Sequence, residues 1–234
     1  MRITRSIPLA ADTPVALTIG NFDGVHLGHQ AMLAKLREAA ARLGVPSCVM
    51  TFEPHPREFF APDQAPTRLT SLREKLELIA AQGIERVVVC RFNYEFARHT
   101  AQDFIERTLV RGLGVRWLLV GDDFRFGARR AGDFTMLKHA ASRFGFEVEA
   151  MPSVALDGVR VSSTAVRNAL AAGDLAHAAR LLGRPYSISG RVVRGDGLGR
   201  KLGFPTANMQ MKHNRPPLSG IFVVELAGVA DRPL

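Results

Sequence analysis

From Val15 to Met151 the chain alternates short β-rich apolar runs with helical periods, and this rhythm limits the possible folds more than any other feature. Val15 to Ile19 (VALTI) reads as a strand ending at Gly20-Asn21-Phe22-Asp23-Gly24. The next period places Leu33, Leu36, Ala40 and Leu43 on one helical face, with Gly44 positioned to stop it. A strand over 48–52 follows, then a helix over 71–82 that opens on Ser71 with Glu74 three residues on, a capping-box pattern. Strand 87–92, helix 101–111, strand 117–120, helix 134–144 and strand 146–151 continue the alternation. Strand, helix, strand in this order predicts an α/β fold, a parallel sheet with helices on both faces. Ligands in such sheets bind beyond the carboxyl ends of the strands, where the glycine-rich segments 20–24 and 121–127 both fall. Two short helices, 163–171 and 174–182, close this first domain, expected to span 1–184.

Past Gly183-Arg184-Pro185 the pattern changes. Residues 186–194 and 220–226 alternate as barrel strands do, and 185–234 is too short for an ordinary barrel core. The expectation is an incomplete β-barrel domain.

The 234 residues, 47% hydrophobic, suit one ample domain plus a smaller piece. A formal net charge of +9 fits a polyanionic partner, either nucleic acid or nucleotide phosphates. Most of the 31 Lys and Arg are scattered as on a solvated surface. The two cysteines, Cys48 and Cys90, lie inside apolar runs and read as small core residues. No disulfide framework or metal spacing is present, which favours a reducing, cytoplasmic setting. No signal peptide or apolar run of about 18 residues occurs, so no membrane partner is expected.

The segment Gly20-Asn21-Phe22-Asp23-Gly24-Val25-His26-Leu27-Gly28-His29 joins a strand end to a helix start. Glycines there admit a ligand close to the backbone, and free amides at a helix N-terminus favour an anion. His26 and His29, three apart, can donate hydrogen bonds to charge developing on a reacting phosphorus. A bound triphosphate would favour their protonated forms. As a zinc pair they lack a third ligand nearby. Near the end of the first domain, Val161-Ser162-Ser163-Thr164-Ala165-Val166-Arg167 sets three hydroxyls at a helix start and an arginine one turn in. Alone it reads equally as an N-cap with a surface arginine.

The first string resembles the signature of the nucleotidyltransferase superfamily. The resemblance implies a Rossmann-like sheet and ATP bound by Gly20, Asn21, Phe22, Asp23, Gly24, His26 and His29. In that superfamily an S-S-T-x-x-R segment holds the ATP phosphates, which carries the role to Ser163, Thr164 and Arg167, with Arg160 adding charge. Thr51-Phe52-Glu53-Pro54-His55-Pro56 and Gly121-Asp122-Asp123-Phe124-Arg125-Phe126-Gly127 narrow the likeness to bacterial bifunctional riboflavin kinase/FAD synthetases, over nearly the whole chain. A flat apolar slot for the isoalloxazine ring is expected from Pro56, Phe60 and Phe126, with Asp123 and Arg125 at its rim and Asp123 also toward ATP. Phe52 and Phe124 read equally well as core.

Gly195 to Asn208 (GDGLGRKLGFPTAN) is similar to the flavokinase phosphate loop, in which Thr206 and Asn208 would hold magnesium and ATP phosphates. The family's catalytic glutamate comes later in the barrel than Leu234. The resemblance therefore implies transfer of AMP from MgATP to FMN, giving FAD and pyrophosphate with His26, His29 and Arg167 as catalytic groups, and little FMN formation from riboflavin. Expected partners are small nucleotides and flavins (ATP, FMN, riboflavin, FAD), with no nucleic acid. An adenylyltransferase acting on nicotinamide mononucleotide or phosphopantetheine is disfavoured by the T-F-E-P-H-P and P-T-A-N strings. A nucleic-acid-binding module or a non-catalytic flavin carrier would release no pyrophosphate.

Overall fold

The computed structural model describes residues 1–204, 206–211 and 215–227. Six strands form one sheet: β1 (Arg2–Thr4), β2 (Val15–Ile19), β3 (Ser47–Glu53), β4 (Arg86–Arg91), β5 (Val115–Gly121) and β6 (Glu147–Met151). Their order is β1-β4-β3-β2-β5-β6, and every neighbouring pair is parallel. Chain order therefore reverses direction between β2 and β5, the switch point where the loops after two adjacent strands part and leave a crevice.

The helices form where capping and periodicity agree. Helix α1 (Leu27–Leu43) starts at His26, whose side chain accepts from the His29 amide, and stops at Gly44 in the left-handed region. Helix α2 (Pro56–Phe60) is a single turn after β3. Helix α3 (Leu72–Ala81) opens on the Ser71–Glu74 capping box. A turn α4 (Tyr94–Ala97) precedes α5 (Ala101–Asp103), which continues as a π-helix over Phe104–Gly112 where an α-helix was expected. Helix α6 (Phe134–Phe144) spans its expected residues. So does α7 (Ser163–Ala171), which is followed by α8 (Leu175–Leu182). Edge strand β1 and the hairpin β7 (Ala155–Leu156)–β8 (Val159–Arg160) are additions to the sequence reading.

Because strand side chains alternate, the sheet carries two apolar layers. Leu17, Met50, Leu118 and Val120 pack with Ile105, Leu109 and Leu137 on one face. Ala16, Val49, Trp117 and Leu119 pack with Leu33, Leu36 and Ile79 on the other. Each fully buried leucine contributes roughly 1.5–3 kcal/mol. A third cluster joins Leu69 and Val161 to α7 and α8, with Tyr186 and Leu218 against it. Cys48 and Cys90 are both free and buried, and burial pushes each thiol up to about 12. Among the described residues no helix is long and apolar enough to cross a membrane.

Beyond α8, β9 (Arg191–Val193) pairs antiparallel with β10 (Asn208–Gln210), and a short helix α9 (Leu198–Lys201) lies between them. The strand expected over 186–194 is thus shortened to its last residues. Residues 220–226 form no strand, and Ile221 and Val223 lie fully open to solvent; among the described residues no strand pairs with them. Pro205 of the P-T-A-N string and the chain end at 228–234 fall outside the described residues.

Gly127 has φ +73, and a Cβ there would stand 2.6 Å from the Ala101 amide nitrogen, a backbone atom that cannot swing aside. Gly145 shares that φ but has open space around it. Gly145→Ala should therefore cost about 1 kcal/mol of left-handed strain, and Gly127→Ala at least about 2 kcal/mol more, read from urea unfolding. Equal losses at the two positions would refute the close approach.

Candidate active site

The first loop is built around one carboxylate. Asp23 is buried and accepts from the Leu69 amide at 3.0 Å, the Thr70 amide at 3.0 Å and the Thr70 hydroxyl at 3.1 Å. Arg167 on α7 donates to it through Nη2 at 2.5 Å, while Arg167 Nε donates to the Thr67 carbonyl at 2.5 Å. Ser163 Oγ donates to the Asp23 carbonyl at 2.8 Å. Two motifs separated by 140 residues of chain are thereby joined at the carboxyl edge of the sheet.

Beside this junction, at the mouth between β2 and β5, opens a cleft of about 250 Å³. Gly20, Phe22, His26, His29, Asp123 and Arg160 line it, all of them expected from the sequence. Met32, Met151 and Val154 line it as well and were not singled out; so do Ser162, named only among the hydroxyls before α7, and Phe124, which read equally well as core. A signal for Ser162 was present, since it is the N-cap of α7 and the first of three hydroxyls. The others are apolar residues, Met32 on α1 and the rest at or just beyond the ends of β5 and β6, which resemble core until the chain is folded.

The two imidazoles stack with centroids 3.7 Å apart, and His29 also packs on Phe22 at 4.9 Å. Burial pushes His26 down to about 4; Asp23 opposes this, and the guanidiniums of Arg167, Arg160 and Arg184 reinforce it. Burial also takes His29 well below its ordinary value, helped by His26 and Lys75. Both shifts favour the neutral rings at pH 7. His29 Nδ1 and Asn21 Oδ1 are sealed from solvent, with no hydrogen-bond partner among the described residues. Arg160 is about half exposed and pairs with Asp123 at 3.0 Å.

Several expected residues stand elsewhere. Asn21, Asp23, Gly24, Ser163, Thr164 and Arg167 do not line the cleft. Thr164 is exposed on α7. The Arg167 guanidinium, expected to act on the nucleotide directly, is instead committed to Asp23 and Thr67. Phe126, expected in an open flavin slot, is buried against Phe104 and Phe124 and bridged to Gly132, because the loop folds back and closes over its ring. Phe124 is the ring of that string that reaches the cleft.

Pro56 starts α2, and Phe60 at its end is 67% exposed in edge-on contact with Phe59 and Phe92. Arg125 pairs with Asp133 at 3.5 Å. Glu53 and Glu58 both hold Arg68, a partly buried triad that the sequence did not suggest. Lys75 on α3 is 4% exposed, and among the described residues no carboxylate lies in ion-pair range of it. In the C-terminal part, Thr206 and Asn208 are exposed beside the Gly195–Gly203 loop; a Cβ at Gly199 would meet Thr206 Oγ1 at 3.1 Å, and one at Gly195 would collide with the Asn208 amide.

Comparison with known proteins agrees with this architecture. The FAD synthetase family model matches residues 9–165, and the riboflavin kinase model matches residues 182–232. The chain is 56% identical to the bifunctional riboflavin kinase/FMN adenylyltransferase of Pseudomonas fluorescens over 209 residues, covering 89% of this chain and 67% of that protein. It is 50% identical to the protein of the same name from Escherichia coli over 237 residues, covering all of this chain and 76% of that one. A solved structure described as a macrolide-efflux protein from Streptococcus pneumoniae superposes with a TM-score of 0.80 at 27% identity, over 96% of this chain and 74% of that one. With half or more of its residues shared with such relatives along its length, the chain belongs to the bifunctional riboflavin kinase/FMN adenylyltransferase family.

Proposed function

We propose that the cleft between β2 and β5 transfers AMP from MgATP to FMN, giving FAD and pyrophosphate. The observation that carries this reading is the Asp23 junction, which brings the histidine loop and the hydroxyl-rich start of α7 to one cleft in a chain of this family. An FMN phosphate oxygen attacks the α-phosphorus in line, the new P–O bond forms as the bond to pyrophosphate breaks, and no covalent enzyme intermediate is needed. Such chemistry depends on alignment and on donors aimed at developing charge. His26 and His29 serve as neutral N–H donors, and Arg160 supplies the mobile positive charge at the mouth. Arg167 acts from behind, holding Asp23 and so the loop. Met32, Phe124, Met151 and Val154 offer a flat base an apolar wall.

Magnesium belongs to this reading as the companion of ATP, held by phosphate oxygens. Among the described residues no group of three or more His, Cys, Asp or Glu side chains converges as a metal site. At the second phosphate loop, the Thr206 hydroxyl and Asn208 amide oxygen are suitable hard-cation ligands. The exposed Phe60 and its aromatic neighbours supply a platform for the isoalloxazine ring, with Pro56 and Asp123 toward its edges. We place the division between the two units at 184/185, and a cytoplasmic setting fits two free buried thiols.

His29→Ala should lower the rate of FAD formation about 10²–10³-fold while leaving the unfolding transition in place. Near-normal turnover of that variant would remove His29 from the mechanism. Chiral α-phosphorus substrates should give inversion, and net retention would require an adenylyl-enzyme instead.

The neutral state of His26 also has a consequence for stability. Its folded value, about 4, lies below the ordinary 6.5, so the unfolded chain takes up the proton first as pH falls. Stability is fully present above 6.5 and is lost as pH drops through 4, by roughly 3 kcal/mol from this ring. Urea unfolding free energies measured across that window should decline in the wild type and decline less steeply in His26→Gln, where His29 and His55 still contribute; parallel slopes would show that the His26 ring titrates normally.

A further inference from the structure

The loop before α1 is held from a direction the motif itself does not reveal. Arg184, which follows α8, donates from Nη2 to the Gly24 carbonyl at 2.7 Å and from Nη1 to the Val25 and Leu182 carbonyls at 3.3 Å. Gln30 on α1 donates to the same Val25 and Leu182 carbonyls at 2.9 and 2.8 Å. Two non-glycine residues of this loop sit at positive φ, Phe22 at 49° and Val25 at 42°. A conformation of that kind persists only when its surroundings fix it.

The carbonyls matter because of what stands opposite them. In a planar trans peptide the N–H points away from the C=O. Drawing the Gly24 and Val25 oxygens toward Arg184 turns the amides of Val25 and His26 the other way. Among the described residues neither amide donates to a backbone acceptor. Two adjacent free amides ahead of a long helix form an anion-receiving concavity. Arg184 itself does not line the cleft.

The same short segment grips the other side of the Asp23 junction. The Tyr186 hydroxyl donates to the Leu69 carbonyl at 3.1 Å, and the Ser189 amide donates to Glu74 at 2.6 Å. Leu69 provides one of the amides that clamp Asp23. Arg184, Tyr186 and Ser189 lie outside the FAD synthetase match and inside the riboflavin kinase match.

We infer that Arg184 is a positioning residue for adenylyl transfer, acting through the Gly24 and Val25 carbonyls to aim the Val25 and His26 amides at the nucleotide phosphates. The inference rests on the adenylyl-transfer reading, and it places a working part of that site in the segment matched to the other activity.

The test uses the full chain, with MgATP and FMN affinities measured separately beside FAD formation. Arg184→Met should weaken MgATP binding and kcat/KM for ATP about 10- to 100-fold, with FMN affinity held to about twofold. Arg184→Lys should recover much of the loss, since one ammonium can still serve the Gly24 carbonyl. In Arg184→Ala, added guanidinium chloride should restore part of the activity, with no such gain in the wild type. ATP dependence unchanged in Arg184→Met, or ATP and FMN affinity falling together without guanidinium rescue, would overturn the inference. Should Arg184→Met fail to fold, Gln30→Leu removes the second donor to the Val25 carbonyl and decides by the same ATP-specific criterion. Wild-type protein that bound MgATP but formed no FAD would count against the adenylyl-transfer reading, leaving the ATP-binding comparison to judge Arg184 alone.

Discussion

The buried carboxylate of Asp23 is the interaction on which the rest of the site depends. It takes donors from the segment ahead of α3 and from α7, and its own residue sits in the loop ahead of α1. A charge out of water is tolerated only when its lone pairs are filled, and here amides, a hydroxyl and a guanidinium fill them. Leaving either partner of the Asp23–Arg167 pair alone would expose an uncompensated charge, at a cost on the order of 3–5 kcal/mol. Three segments distant in sequence are therefore obliged to meet at one point, and the cleft is the space left beside that point.

The histidine pair inherits its character from this arrangement. Burial of the stacked rings, with three arginines near His26 and Lys75 near His29, disfavours a second proton on either imidazole at neutral pH. Their usefulness lies in fixed N–H vectors instead of charge, which needs little solvent rearrangement when a phosphate arrives. The positive charge that the phosphates require is delegated to more exposed groups such as Arg160, whose pairing with Asp123 can exchange for a ligand.

Much of the architecture was legible in the residues. The sequence reading gave α3, α6 and α7 nearly to the residue and α1 at its end, since Ser71 with Glu74, and Gly44, are local signals that the folded chain had no reason to override. The three-residue edge strand β1 was missed because so short a run carries no period. The widened turns of Phe104–Gly112 were missed because an apolar stripe cannot distinguish α from π spacing over two turns. Site residues were less readable than site motifs. Arg167 resembles a phosphate ligand in sequence, yet an unpaired buried carboxylate nearby claims it first. Phe126 sits in a glycine-rich loop that looked open, and only the bridge to Gly132 shows that the loop closes over the ring. Arg184, lying in a helix-ending Gly-Arg-Pro, carries no local mark of its contacts with a loop 160 residues earlier.

The buried cysteines give the sheet a built-in reporter. Cys48 in β3 and Cys90 in β4 both point into the apolar layer that holds Leu17 and Met50, and with thiols near 12 almost none of either is thiolate at neutral pH. Alkylating reagents can reach them only when strands of the central sheet separate. Their labelling rate in the native protein therefore measures how often that core opens, with no probe attached and no side chain replaced.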